Sequence, residues 1–215
     1  MTEHIFTFEP GSDEVAPLFV FVHGRAGTVG VMNGFSRSIP VGMARLFIQA
    51  PIPDPIGGFS WWLVDDASAD PWRASYLLDD ILSSVLTKLG IKPRCMIALG
   101  FSQGGAVLAM ALQRNPALFS GLAMLASFVI RSPIPVPLGG TPDIFIAHGE
   151  HDEVVSLAAA EEGAQYLSGL GWPTTMVVDS VGHKVGVQGI RGLREWATRV
   201  ARDGIIREQN WLSFV

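Results

Sequence analysis

The chain has 215 residues, 48% hydrophobic and 16% charged, with a formal net charge of −5. That length suits one domain around a single large core, and a mildly acidic chain without basic runs is a poor partner for nucleic acid. The mean hydropathy of +0.34 would suit a membrane protein if the apolar residues were contiguous. Runs such as 18–22 and 97–99 fall far short of the ~20 residues of a spanning helix, so the apolar excess is expected in strands buried on both faces, with no membrane span.

The opening MTEHIFTFEP carries Glu3 and Glu9 and lacks the basic start and apolar stretch of a secretory leader, which favours a cytoplasmic location. A single cysteine, Cys95, rules out an internal disulfide and any multi-cysteine metal site. It opens an apolar strand and reads as a small buried hydrophobe.

In chain order, strands are predicted at 4–8, 17–22 and 45–50, followed by an irregular, proline-rich segment at 51–71 that contains Trp61-Trp62. A helix follows at 72–90, where apolar residues at 77, 78, 81, 82, 85, 86 and 89 repeat with a period near 3.6. A strand at 95–99, a helix at 104–113 and a strand at 121–126 lead into a second proline-rich segment, 127–142. The chain then reads as strand 143–147, helix 156–170, strand 174–178 and helix 187–202. This alternation predicts an α/β fold over 1–215 as a single domain, with a mostly parallel central sheet and helices on both faces. Each irregular segment follows a strand, and in such sheets ligands sit beyond the carboxyl ends of strands. Both are expected to wall a site.

The sharpest local feature is Gly100-Phe101-Ser102-Gln103-Gly104-Gly105, between an apolar strand and an apolar helix. Glycines on both sides permit a tight strand-to-helix turn that displays Ser102 as a nucleophile at the sheet edge, with the helix N-terminus behind it. A structural turn with an incidental serine and phosphate binding are the competing readings of such a turn, but for the latter the spacing is not G-x-G-x-x-G and the lysine of a phosphate loop is missing. A serine hydroxyl needs a base and an acid that orients the base. Downstream lie His148, His151 and His183. His183, on a loop between the last strand and the last helix, is the candidate base. Asp152, just past the strand ending in His148-Gly149, is the candidate acid, with Glu150 and Asp179 as alternatives. The oxyanion formed in acyl transfer needs N–H donors. Those of Gln103, after the serine, and Arg25, after the strand ending in His23-Gly24, are the candidates.

These motifs, His23-Gly24-Arg25, Gly100 to Gly105, His148-Gly149-x-x-Asp152-x-Val154-Val155 and Gly182-His183, resemble the phospholipase/carboxylesterase family of α/β-hydrolases, which includes the acyl-protein thioesterases. The resemblance covers roughly residues 16–200 and implies an α/β-hydrolase fold, a Ser102, Asp152, His183 triad and oxyanion donors at Arg25 and Gln103. It also sets Ser60-Trp61-Trp62 beside the substrate groove and the loop 125–128, with Phe128, beside the acyl pocket. Trp61, Trp62 and Phe128 are thus the candidate substrate-binding residues. Where the family loop often reads His-Gly-x-Gly-Asp, Ala26 and Gly27 follow Arg25 here.

The expected activity is that of a serine carboxylesterase acting on small to medium acyl esters, with no metal or cofactor and no large lid. Acyl-thioesterase and lysophospholipase are the alternatives within the enzyme class. A catalytically silent binding module on the same fold is the alternative outside it. The tail 205–215, with Trp211 and Phe214, is expected to dock on the body or on a second subunit, so a homodimer is one arrangement it allows.

Overall fold

The computed structural model describes residues 4–13 and 16–212, with side chains described as far as Gly204. In chain order the elements are β1 (Phe6–Glu9), β2 (Leu18–Val22), a 3-10 turn (Val29–Met32), α1 (Asn33–Ser36), β3 (Ala44–Ile48), β4 (Ile52–Pro53) and β5 (Phe59–Ser60). There follow α2 (Pro71–Leu89), β6 (Met96–Phe101), α3 (Gln103–Arg114), β7 (Gly121–Leu125), β8 (Asp143–Gly149), α4 (Leu157–Gly169), β9 (Thr174–Asp179) and α5 (Val187–Leu212). Seven strands form one sheet in the order β1-β3-β2-β6-β7-β8-β9. Only β1 runs antiparallel, against β3.

Strand alternation builds two cores. Leu18, Val20 and Val22 of β2 face the layer of α2, α3 and α4, whereas Phe19 and Phe21 face α5 and the turn before α1. Because the inner strands β2, β6, β7 and β8 are covered on both sides, their sequences are apolar at consecutive positions rather than alternating. Helix α3 is buried from Gln103 to Gln113, as a helix packed between the sheet and α2 must be. Helix α2 starts at Asp70, whose side chain accepts the Trp72 N–H, has Pro71 in its first turn, and ends at Gly90 in the left-handed region. These are the expected start and stop devices.

From β1 at the sheet's edge the chain crosses to β2, steps back to β3 between them, then returns to place β6 on the other side of β2. A crevice therefore opens between the carboxyl ends of β2 and β6. Val22 pairs with Gly100, which brings the loop after β2 beside Ser102.

Two elements differ from the sequence reading. The stretch 51–71 contains a two-stranded ribbon, β4 with β5, in which Ile52 pairs with Ser60. The helix expected to end at 202 continues to Leu212 in backbone terms. The backbone stays helical through Gly204. The side chains of 205–212 and residues 213–215 lie outside the described residues, and with them the expected docking of the tail.

Candidate active site

Ser102 stands between β6 and α3 with φ 51° and ψ −120°, in a region that side-chain-bearing residues rarely adopt. The surroundings hold it there. Its N–H donates to the Leu125 carbonyl at 2.8 Å, and its carbonyl accepts the Ser127 hydroxyl at 2.7 Å. The flanking glycines are steric necessities: a Cβ on Gly100 would overlap the backbone of Gly104 and Gly105, and one on Gly104 would overlap the Val22 carbonyl oxygen. Ala26 (φ 55°) and Ala126 (φ 46°) are the other described non-glycine residues at positive φ. All three follow the carboxyl ends of neighbouring strands, so backbone strain is concentrated along one edge of the sheet.

The structure brings Asp152 to His183. Oδ2 of Asp152 lies 2.7 Å from His183 Nδ1, while Oδ1 accepts the N–H groups of Val154 and Val155, each at 2.9 Å. Burial alone would raise the Asp152 carboxyl, but the Val155 N–H, the His183 ring and the Val154 N–H outweigh it and hold the group below the ordinary carboxylate value. A carboxylate only accepts, so a neutral His183 ring here carries its proton on Nδ1 and its lone pair on Nε2. The loop carrying His183 is fixed against the Asp152 turn by two backbone bonds, Glu150 N–H to the Asp179 carbonyl (2.8 Å) and His151 N–H to the Val181 carbonyl (2.9 Å).

The alternative acids are engaged elsewhere. Asp179 accepts the Gln188 and Gly189 N–H groups at 3.0 and 2.8 Å, capping α5, and the exposed Glu150 faces His151 at 3.9 Å. His148 is buried, with Nε2 2.9 Å from the Val155 carbonyl and 3.4 Å from Asp152 Oδ2. It supports the acid's turn.

Gln103 is the first residue of α3, so its N–H has no acceptor within the helix. Its side chain has a use that the sequence reading missed: Oε1 accepts the Trp61 N–H and Nε2 donates to the Trp62 carbonyl, both at 2.9 Å. The loop after β2 packs directly on the serine, since a Cβ on Gly24 would come 3.1 Å from Ser102 Cβ. His23, fully buried, anchors that loop. Its Nδ1–H donates to the Gly24 carbonyl at 2.7 Å and its Nε2 accepts the Ala50 N–H at 2.9 Å. Burial lowers the His23 pKa, the Gly24 bond opposing, so the ring is neutral. The Arg25 guanidinium donates to Asp54 at 3.3 Å and Asp65 at 2.7 Å.

Ser102 and His183 share a cleft of about 490 Å³ with Arg25, Val31, Met32, Phe35, Ile56, Phe101 and Val154. The Phe101 ring lies between the His183 ring, 5.1 Å away, and Phe35, 6.2 Å away. Trp61, Trp62 and Phe128 do not line this cleft, contrary to expectation. Trp61 is 1% exposed, its indole N–H donates to the His23 carbonyl at 3.0 Å, and with Trp62 it borders a different cavity, against Leu77 of α2. Phe128 meets Trp62 edge-on at 6.4 Å and lines a third cavity, with Val154 and Val155. The aromatic pair is therefore a foundation for Gln103 and the loop after β2. The apolar wall at the serine comes from the segment before and within α1, which sequence periodicity is too short to reveal.

A mostly parallel open sheet with a serine on its strand-to-helix elbow defines an α/β-hydrolase. Its matches among solved structures agree in fold. A Bacillus cereus carboxylesterase superposes with a TM-score of 0.82 at 18% identity, over 92% of this chain and 94% of that one. A Mesorhizobium loti carboxylesterase gives 0.74 at 18%, over 87% and 90%, and Arabidopsis thaliana SOBER1 gives 0.72 at 20%, over 86% and 99%. The phospholipase/carboxylesterase family matches residues 66–198, more than half of the chain, and the protein belongs to that family of ester hydrolases. No helix among the described residues is long and apolar enough to cross a membrane.

Proposed function

We propose that the protein is a serine carboxylesterase in which Ser102, His183 and Asp152 act as nucleophile, base and orienting acid, with the N–H groups of Arg25 and Gln103 as oxyanion donors. The observation that carries this reading is the 2.7 Å bond from His183 to Asp152 at a cleft that also holds the strained Ser102. Ser102 Oγ attacks the ester carbonyl carbon as its proton passes to His183 Nε2, and the carbonyl oxygen becomes an oxyanion facing the two N–H groups. Collapse expels the alcohol, protonated by His183, and leaves an acyl-serine. Water, deprotonated by the same nitrogen, attacks the acyl carbon and releases the acid, regenerating Ser102.

The cleft lining supports uncharged acyl groups. Its aliphatic and aromatic walls would accept an apolar chain, and Arg25, the only lysine or arginine among its described lining residues, is already paired with Asp54 and Asp65. Among the described lining residues an anionic substrate head finds no unpaired lysine or arginine at the serine. This favours neutral carboxylic esters over lysophospholipids.

Replacing the nucleophile tests the reading. Ser102→Ala should reduce kcat on p-nitrophenyl butyrate by roughly 10⁴-fold or more with an unchanged melting temperature, and should abolish labelling by a fluorophosphonate probe. Hydrolysis at the wild-type rate would reject the assignment.

A further inference from the structure

The loop after β2 is held from the side by a buried carboxylate that belongs to neither the proposed triad nor the cleft lining. Asp54 lies between β4 and β5 with its side chain fully buried. Its Oδ2 receives the Ser60 hydroxyl at 2.7 Å and Arg25 Nε at 3.3 Å, and its Oδ1 receives the Ile56 N–H at 3.1 Å. Ser60, also buried, accepts the Ala26 N–H on its own oxygen at 3.0 Å. Since a carboxylate cannot donate, the Ser60 proton must point to Asp54, and the hydroxyl lone pairs are left for Ala26. The direction of the relay is fixed.

Ala26 is where such a relay matters. It holds φ 55° without being glycine, a conformation that persists only where its surroundings enforce it. On its far side, Gly27 and Phe59 exchange N–H to carbonyl bonds of 3.1 and 2.9 Å, and Gly58 packs so closely that a Cβ there would overlap the Ala26 carbonyl oxygen. The hairpin 52–60 thus grips residues 25–27 by backbone and side chain together. The peptide unit that enters Ala26 is continuous with Arg25, whose N–H is the proposed oxyanion donor. The Ser60 hydrogen bond most of all, opposed by burial and joined by the Ile56 N–H and Arg25, keeps Asp54 below its ordinary carboxyl pKa.

We infer that Asp54, acting through Ser60, is a positioning residue for the oxyanion loop of this esterase. The inference rests on the reading of the Arg25 N–H as oxyanion donor. Both Asp54 oxygens are acceptors in use, so an amide at this position sets an NH₂ against a donor in either orientation. It disturbs Ser60 and Arg25, or Ile56, with almost no change in volume. The consequence falls on the transition state, where the oxyanion forms, rather than on substrate binding.

The test compares Asp54→Asn and Ser60→Ala with wild type on p-nitrophenyl butyrate, measuring kcat, KM, melting temperature and the inhibition constant of butylboronic acid, which forms a tetrahedral adduct on an active serine. Loss of an oxyanion donor costs about 10²–10³ in kcat, and a displaced donor should cost roughly 10–100-fold, with KM little changed. The boronate constant should weaken in step with kcat. A purely structural role would lower the melting temperature and leave kcat and the boronate constant at wild-type values, which overturns the inference. If Asp54→Asn fails to fold, Ser60→Ala, which keeps the carboxylate and removes only the relay, decides by the same two readouts. Active Ser102→Ala would sink the esterase assignment itself; an inactive Ser102→Ala beside fully active Asp54→Asn and Ser60→Ala would sink only the positioning role.

Discussion

Asp152 holds His183 through a 2.7 Å bond from Nδ1, and its other oxygen is saturated by two backbone N–H groups. The carboxylate is therefore fixed before the imidazole meets it, and the ring has one orientation in which Nδ1 donates. An asparagine could present its NH₂ to Nδ1, which favours the wrong tautomer. Asp152→Asn should lower kcat by about 10⁴-fold, whereas Glu150→Gln, at an exposed side chain facing His151, should stay within about two- to three-fold, as surface changes away from the chemistry do. Steady-state kinetics of the two variants check the ranking, and the reverse order would move the acid to Glu150.

How much of this was legible in the sequence depended on how local the cause was. The strand 18–22 and the elbow at Ser102 were readable because their signals, a continuous apolar run and glycines flanking one serine, lie within a few positions. His183 and Asp152 were readable as types in an expected order, although 31 positions separate them. Asp54 was not. In Pro53-Asp54-Pro55 it reads as a solvated turn residue, and its burial arises only because Arg25 and Ser60 approach from other segments. Trp61 failed for the opposite reason: an aromatic residue after a strand fits a groove or a core equally well, and the choice was made by the His23 carbonyl and the Gln103 side chain. The helix α5 runs past its expected end at 202, to Leu212.

Trp61 and Phe35 should respond differently to truncation. Trp61 is a core residue, so Trp61→Ala should cost about 3–5 kcal/mol of stability and depress activity on acetyl and octanoyl esters in similar proportion. Phe35 lines the Ser102 cleft, so Phe35→Ala should lower kcat/KM for octanoyl esters more than for acetyl, by up to ~0.8 kcal/mol for each methylene that loses its contact. Melting temperatures and a chain-length series of p-nitrophenyl esters separate the two. A flat chain-length profile in Phe35→Ala would remove the α1 segment from the acyl wall.

His23 makes a further prediction, about pH. Its Nε2 accepts the Ala50 N–H, so protonation would turn that acceptor into a donor facing another donor, in a buried site. Its folded-state pKa is lowered, with burial the main cause. Below the ordinary imidazole value of about 6.5 the unfolded chain binds a proton that the folded chain refuses. The stability contributed by neutral His23 is therefore complete above about pH 6.5 and is lost progressively as pH falls below it. Asp152 acts in the same direction at lower pH: its lowered carboxyl pKa gives stability that persists until pH falls below about 3.9, the ordinary carboxyl value, so it contributes no slope between pH 7.5 and 5. The melting temperature should fall between pH 7.5 and 5.5 in wild type. His23→Gln, which can keep one of the two hydrogen bonds but cannot titrate, should be less stable at pH 7.5 and show a shallower decline. An equal slope in both proteins would assign the pH dependence to another group.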